Sequence, residues 1–308
     1  MRPTEARHAV VSALLQAREP VVAGELRTCT QLSTAVFGEA VTELVLEGLV
    51  VRLRPGSSAS DERLVWSAHW EQACAELHDQ MGRELALCCP PSASPVIDVH
   101  SLSSKRFHQF TIERYTPPPE KRYLVFLQCS VRRPFSTSPS HAGMRRAIEM
   151  AVGHDPAHDR VRCPVHVVVL ASTIGPVPYE FEDAYPANVR AGGVKQMGVD
   201  EYTAAKPILA GRIAEYLNAH GPRYTHVAAF ADGRYGDVLV DALALAGVSS
   251  PIFPRPDGER VLRMGTRCPR PYWERFWIQL YREIVTWLPS REAEAAVRRL
   301  AARDVVVG

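Results

Sequence analysis

Residues Cys129 to His141 read Cys-Ser-Val-Arg-Arg-Pro-Phe-Ser-Thr-Ser-Pro-Ser-His and directly follow the apolar run Tyr123-Leu-Val-Phe-Leu127. A buried strand that ends in a thiol, a proline-fixed turn with two arginines, several hydroxyls and a histidine has the make-up of a pocket mouth for a phosphate or a base. Ligands of open parallel sheets sit beyond the carboxyl ends of the strands. Cys129, set among Arg132, Arg133 and His141, is a candidate nucleophile for a mild electrophile. It equally fits a small buried residue at a strand end. His141 would open the next helix, either to protonate an intermediate or activate water, or as a satisfied structural histidine. Ser136, Ser138 and Ser140 stand where serines cap a helix, and Ser138 could instead bond a phosphate or a base.

Two later loops add carboxylates. Glu180, in a Val-Pro-Tyr-Glu turn, could accept hydrogen bonds from the N1-H and amino group of a guanine-type base, or be a surface carboxylate. Asp232, after the run His226 to Phe230, could orient His141 or a water, although an Asp-Gly pair more often caps a turn. Gly192 and Gly193 carry no phosphate-loop or dinucleotide fingerprint, so no cofactor is expected. The seven cysteines are odd in number, scattered and without metal-ligand spacing, which leaves reduced thiols and no metal site.

The elements that must position these residues divide near residue 90. From 91 to 308, apolar runs at Tyr123 to Leu127, Val165 to Leu170, His226 to Phe230 and Ser250 to Phe253 alternate with helical patterns at His141 to Val152, Thr203 to Ala219 and Gly236 to Ala246. Such alternation predicts an α/β domain of three layers, α/β/α, around a parallel sheet. Trp273, Phe276, Leu280 and Trp287 have core spacing. Residues 1 to 90 predict helices at Thr4 to Gln16, Val21 to Thr28 and Thr30 to Leu49. Strands at Val50 to Leu53 and Arg63 to Trp66 follow, around a polar turn at Pro55 to Asp61: the layout of a winged helix. Its third helix carries Glu39, Glu43 and Glu47 and no Lys or Arg, so Arg52, Arg54 and Arg63 on the wing are the better phosphate contacts. A helix at Trp70 to Leu87 and a linker at Cys88 to Pro95 lead out of the module.

Composition narrows the class. The chain has 308 residues, 46% hydrophobic and 23% charged, with a net charge of +2. That excludes disorder, and no apolar stretch reaches membrane-span length. The opening residues lack a signal-peptide layout, which points to the cytoplasm. The helix Arg291-Glu-Ala-Glu-Ala-Ala-Val-Arg-Arg-Leu reads as a solvated surface or, alternatively, a basic face for a polyanion.

The pattern Cys-x3-Arg-Pro-Phe-x2-Ser-x2-His at Cys129, Arg133, Pro134, Phe135, Ser138 and His141 resembles the signature of the archaeosine synthase core domain, Cys-x3-Lys-Pro-Tyr-x2-Ser-x2-His. Ser172-Thr-Ile-Gly-Pro-Val-Pro-Tyr-Glu180 and Tyr185-Pro-Ala187 resemble further segments of that family, as do Arg114 to Tyr123 and Ala231 to Tyr235. The likeness covers roughly residues 105 to 255. Arg133-Pro-Phe135 replaces Lys-Pro-Tyr, Gln128 replaces a proline, and no C-terminal RNA-binding PUA segment is visible. The resemblance implies a fold akin to uracil-DNA glycosylases and a 7-cyano-7-deazaguanine (preQ0) base, carried in nucleic acid, whose nitrile is attacked by a nucleophile. Under it Cys129, His141 and Asp232 are the catalytic candidates, and Arg133, Ser138, Ser172, Glu180 and Tyr185 bind substrate. With a winged helix in front, DNA is favoured over tRNA and hydration of the nitrile stands beside amine addition, as in bacterial systems that modify DNA with 7-deazaguanines. Other components of such a system are expected partners. The alternatives are a nucleic-acid recognition or targeting protein without catalysis and a base-excising glycosylase. The latter is disfavoured because no acidic residue stands in the Cys129 loop.

Overall fold

The computed structural model describes residues 3–54, 61–92, 97–255 and 270–304. The hairpin tip at 55–60, the linker residues 93–95 and the side chain of Trp273 lie outside the described residues. The amino-terminal part runs α1 (Pro3–Ala17), β1 (Val21–Val22), α2 (Ala23–Thr30), α3 (Thr34–Leu46), β2 (Val50–Leu53) and β3 (Arg63–Trp66). Val10, Leu14, Leu26, Phe37, Leu44 and Leu64 close its core. Val21 and Val22, expected to be helical, are extended and pair with Leu64 and Arg63, as β-branched residues favour. The third helix starts later than expected because Gln31 turns left-handed at φ 55° and Ser33 caps the new start. After α4 (Ser67–Cys88) comes an unforeseen helix, α5 (Leu102–Glu113), capped by Ser101.

The remaining elements are β4 (Tyr123–Gln128), α6 (Pro139–Val152), β5 (Val165–Ala171), β6 (Gly175–Pro178), α7 (Val199–His220), β7 (His226–Phe230), α8 (Arg234–Ala246), β8 (Ile252–Phe253), α9 (Arg270–Thr286) and α10 (Ser290–Asp304). The second sheet has the order β6-β5-β4-β7-β8, with β4 central and parallel to both neighbours. Alternate residues of β4 face opposite ways. Tyr123, Val125 and Leu127 join Met144 and Ile148 of α6 and Leu280 and Ile284 of α9. Leu124 and Phe126 join Leu209 and Ile213 of α7 and Leu239 of α8.

The expectation of a purely parallel sheet needs correction: β6 is an antiparallel edge strand. Gly175, at φ 98°, lets the chain reverse within four residues of Ala171. The Arg212 guanidinium holds that turn by donating to the carbonyls of Thr173 (3.3 Å) and Ile174 (3.1 Å).

Charge pairing also departs from the sequence reading. Arg52, expected at a phosphate, lies largely buried against Glu292 (3.1 Å) and Glu62 (3.7 Å). Glu43 of α3 and Glu47 at its carboxyl cap face Arg7, and Glu39 meets Arg291 at 2.8 Å. Among the three wing arginines, Arg63 remains exposed. Helix α10 is more than a solvated surface: Glu292, Ala295 and Ala296 are buried, and Arg299 donates to the Met150 carbonyl at 2.9 Å. Among the described residues no helix is long and apolar enough to cross a membrane.

Phe126 is fully buried in the central strand, so Phe126→Ala should remove about 3–5 kcal/mol of unfolding free energy. Denaturant titration reads this directly, and a loss under about 1 kcal/mol would mean that this face of β4 is not a packed core.

Candidate active site

The carboxyl ends of β4, β5 and β7 bring together Cys129, Ser172 and Asp232. Cys129 is half-buried, its thiol 3.3 Å from the Ser130 carbonyl. Arg133 Nη2 stands 3.9 Å from the sulfur. The Tyr235 hydroxyl, at the start of α8, shares a 2.7 Å hydrogen bond with Ser172 Oγ and faces the Cys129 sulfur. Burial pushes the Tyr235 phenol well above its ordinary value and the neighbouring Cys129 adds to this, so it stays a hydroxyl and a hydrogen-bond donor. Ser172 Oγ also accepts from Val194 N at 3.0 Å.

The loop before α7 folds over these strand ends. Arg234 Nη1 pins it by donating to the Val194 carbonyl at 2.8 Å and the Met197 carbonyl at 2.6 Å. That places the Lys195 ammonium 2.5 Å from Asp232 Oδ1 and 5.9 Å from the centre of the Tyr235 ring. A Cβ on Gly193 would come within 3.3 Å of the Tyr235 hydroxyl, so the backbone approaches the site closely. The result is a thiol beside a guanidinium and the Tyr235 hydroxyl, with Ser172 bonded to that tyrosine and the Lys195–Asp232 ion pair near its ring. Such a surface suits attack by sulfur on an electrophilic carbon, with donors ready for the charge that develops beside it.

Other candidates from the sequence build the frame instead. Ser138 is buried and caps α6, accepting from His141 N at 3.2 Å. Arg133, read as a phosphate clamp, gives Nε to the Ala187 carbonyl at 2.8 Å and Nη1 to the Ser130 carbonyl, and stacks over Phe135 at 3.9 Å. Those carbonyls take the donors a phosphate would need. Tyr185 bonds Ser103 of α5 at 2.7 Å, two residues before the carbonyl that holds Arg133.

His141 is fully buried, with Nε2 at 2.9 Å from the Gln128 carbonyl and Nδ1 at 2.7 Å from the Tyr179 hydroxyl. A carbonyl only accepts, so Nε2 carries the proton and Nδ1 accepts from the tyrosine. Burial pushes this histidine down to about 4. Both nitrogens are occupied, which corrects the idea that His141 donates a proton to a substrate, and Asp232 orients Lys195 rather than His141.

Glu180 lies elsewhere. Because β6 runs antiparallel, it returns the chain to the amino end of β5, where Glu180 meets His166 at 3.2 Å and accepts from the Tyr115 hydroxyl at 2.9 Å. His166 is six residues back along β5 from Ser172, roughly 20 Å of strand. Burial alone would raise the Glu180 carboxyl, but the His166 ring and then the Lys121 ammonium hold it well below the usual range.

Sequence reasoning missed Lys195, Tyr235, Tyr179, Gln128 and Glu182. Glu182 is fully buried and accepts from Ser136 N at 2.8 Å, which anchors the turn after Cys129. A signal existed for Gln128, a polar residue closing an apolar strand, and for Tyr235, in the loop after the third strand. Lys195 gave none, since only the folded loop brings it to Asp232.

Residues 104–251 match the family described as "Domain of unknown function (DUF5591)". Archaeosine synthase subunit alpha of Thermococcus kodakarensis is 30% identical over 143 residues, 46% of this chain and 23% of that protein. Its counterpart in Methanosarcina acetivorans is 33% identical over 133 residues, 43% of this chain and 19% of the relative. The match therefore spans less than a quarter of either relative's length. The crystal structure of AF0587, a protein of unknown function, aligns at 18% identity over 49% of this chain and 44% of the other, with a TM-score of 0.34, too distant to carry an argument. The Cys129 site thus lies in a segment similar to part of an archaeosine synthase.

The depressed His141 makes stability depend on pH in a defined direction. The unfolded chain takes up the proton near 6.5 while the folded protein resists it until about 4, so stability is lost as pH falls through that window. His141→Gln should flatten this part of the stability curve against wild type in urea titrations at a series of pH values. Parallel curves would show that His141 is protonated alike in both states.

Proposed function

We propose that the strand-end site modifies a 7-cyano-7-deazaguanine base carried in a nucleic acid by adding an amine across its nitrile. The observation that carries this reading is the Cys129 thiol, held beside Arg133 and the Tyr235 hydroxyl, within the segment similar to archaeosine synthases. The sulfur adds to the nitrile carbon, one C–N π bond breaks, and the thiol proton ends on nitrogen, giving a thioimidate. An amine then attacks the same carbon and expels the thiol, leaving an amidine. Tyr235 and Lys195 offer O–H and N–H donors where the nitrogen gains charge, and Asp232 fixes the ammonium.

The relatives' name favours amine addition and a tRNA carrier, because archaeosine is a tRNA nucleoside. The DNA carrier favoured from the sequence, and the hydration held open beside amine addition, draw no support from these relatives. In this reading residues 1–90 are a winged-helix module and residues 91–308 a three-layer α/β/α unit, with α6, α9 and α10 against one face and α7 and α8 against the other. The carboxylates of α3 are turned to Arg7 and Arg291, so the module serves to place the nucleic acid rather than to read bases. Such an enzyme works in the cytoplasm, where its substrate is made.

The test incubates preQ0-bearing tRNA with the protein, with and without lysine, and reads nucleoside masses after digestion. A gain of lysine is expected, a gain of water would mean hydration, and binding without any mass change would mean recognition alone. Cys129→Ala should lower turnover by about a thousandfold or more while keeping the fold, and Lys195→Met by about ten- to a hundredfold, mainly in kcat. Unchanged turnover in Cys129→Ala would remove the thiol from the mechanism.

A further inference from the structure

A second cavity, of about 230 Å³, lies where the amino-terminal helices meet the amino ends of β4 and β5. It is at the other end of the sheet from Cys129. Arg52, Arg122, Arg162 and Arg299 line it together with Glu120 and Glu292, while Glu62 pairs with Arg52 and Glu71 and Asp159 pair with Arg162 from outside the lining. Glu292 is already shared, with Oε1 at 3.1 Å from Arg52 and Oε2 at 3.6 Å from Arg122.

Donors are left over. The Nε–H groups of Arg122 and Arg162 are buried with no hydrogen-bond partner among the described residues, as is Glu120 Oε2, and Arg52 Nε has only an ion pair with Glu62 at 3.7 Å. Arg122 is 5% exposed and Glu120 3%, so neither turns to bulk solvent. A buried polar atom of a charged group without a partner is costly, and such donors around one cavity call for an acceptor. Water meets such donors one at a time. A tetrahedral oxyanion meets several at once, because guanidinium donors match phosphate oxygens in geometry and charge. Burial pushes the Glu120 carboxyl up to about 7, so near neutral pH it can hold a proton and donate to such an anion rather than repel it.

We infer that this cavity binds a small phosphate-bearing anion and thereby joins the amino-terminal helices to the sheet. The volume admits phosphate or a small phosphate monoester and is below the size of pockets for drug-sized ligands. Residues from both sides take part: Arg52 comes from β2, Arg122 from the lead into β4, and Arg162 from the loop before β5. The inference is independent of the chemistry assigned to Cys129.

The test uses the full chain in phosphate-free buffer, with calorimetric titration and thermal unfolding in inorganic phosphate, in glycerol 3-phosphate and in sodium chloride at matched ionic strength. Either phosphate compound should bind and raise Tm by about 2–4 °C beyond the chloride control. The tighter of the two identifies the source as free phosphate or a monoester. Arg162→Gln, at a partly exposed position, should weaken binding about tenfold without loss of fold, and Arg122→Gln more strongly. No binding by either compound, an equal shift in chloride, or wild-type affinity in folded Arg162→Gln would each overturn the inference.

Discussion

The central strand ends at Gln128, and this residue carries two hydrogen bonds on which the site depends, one buried and one partly buried. Its main-chain carbonyl accepts from His141 Nε2, and its side-chain carbonyl accepts from Asp232 N at 3.1 Å. An apolar strand that stops inside the protein must pair its last polar groups, since a buried carbonyl without a donor costs about as much as a lost hydrogen bond. Here the two donors come from different segments, α6 and the loop after β7. Cys129, the next residue, inherits their positions. His141 extends the chain of bonds to Tyr179, so the segment after β6 is fixed by the same knot. Three segments distant in sequence are thus registered on one strand end, and the thiol sits at their junction.

The two ends of the sheet use polar groups differently. At the carboxyl ends, Cys129, Lys195 and Asp232 remain partly open to solvent, and the frame around them is tied by main-chain carbonyls. At the amino ends, the buried Tyr115, His166 and Tyr224 bond one another and Glu180. His78 of α4 reaches the Glu180 carbonyl at 2.9 Å, so that network also fastens α4 to the sheet. That bonded network confers rigidity, whereas the partly open thiol end has the character of a chemical site.

Much of this was legible in the sequence, and the failures share a cause. The strand–helix alternation located β4, β5, β7 and the helices after them, because buried parallel strands read as continuous apolar runs. Cys129, Ser172 and Asp232 came together because all three follow such runs. The short β6, with its two prolines, has no strand signature, and missing it sent Glu180 to the wrong end of the sheet. Arg52 read as a free cation because its partner, Glu292, belongs to the last helix. His141 looked reactive because composition does not reveal that both ring nitrogens are spoken for. Lys195 was invisible since its meeting with Asp232 depends on a loop held by Arg234. Local pattern reveals elements, whereas charge partners are set by contacts between residues far apart in the chain.

The pairing of Arg52 with Glu292 spans 240 positions. Arg52 of β2 has a carboxylate nearer in sequence in Glu62, at 3.7 Å, but Glu292 reaches it only when α10 packs against the sheet. Arg122 waits on the same residue. The amino-terminal unit can therefore collapse by itself around Leu14, Phe37 and Leu64, but its seating on the sheet needs α10 in place. Removing the Glu292 carboxylate would take from Arg122 its partner and leave Arg52 with Glu62, so the seam between the two parts would loosen while each kept its own core.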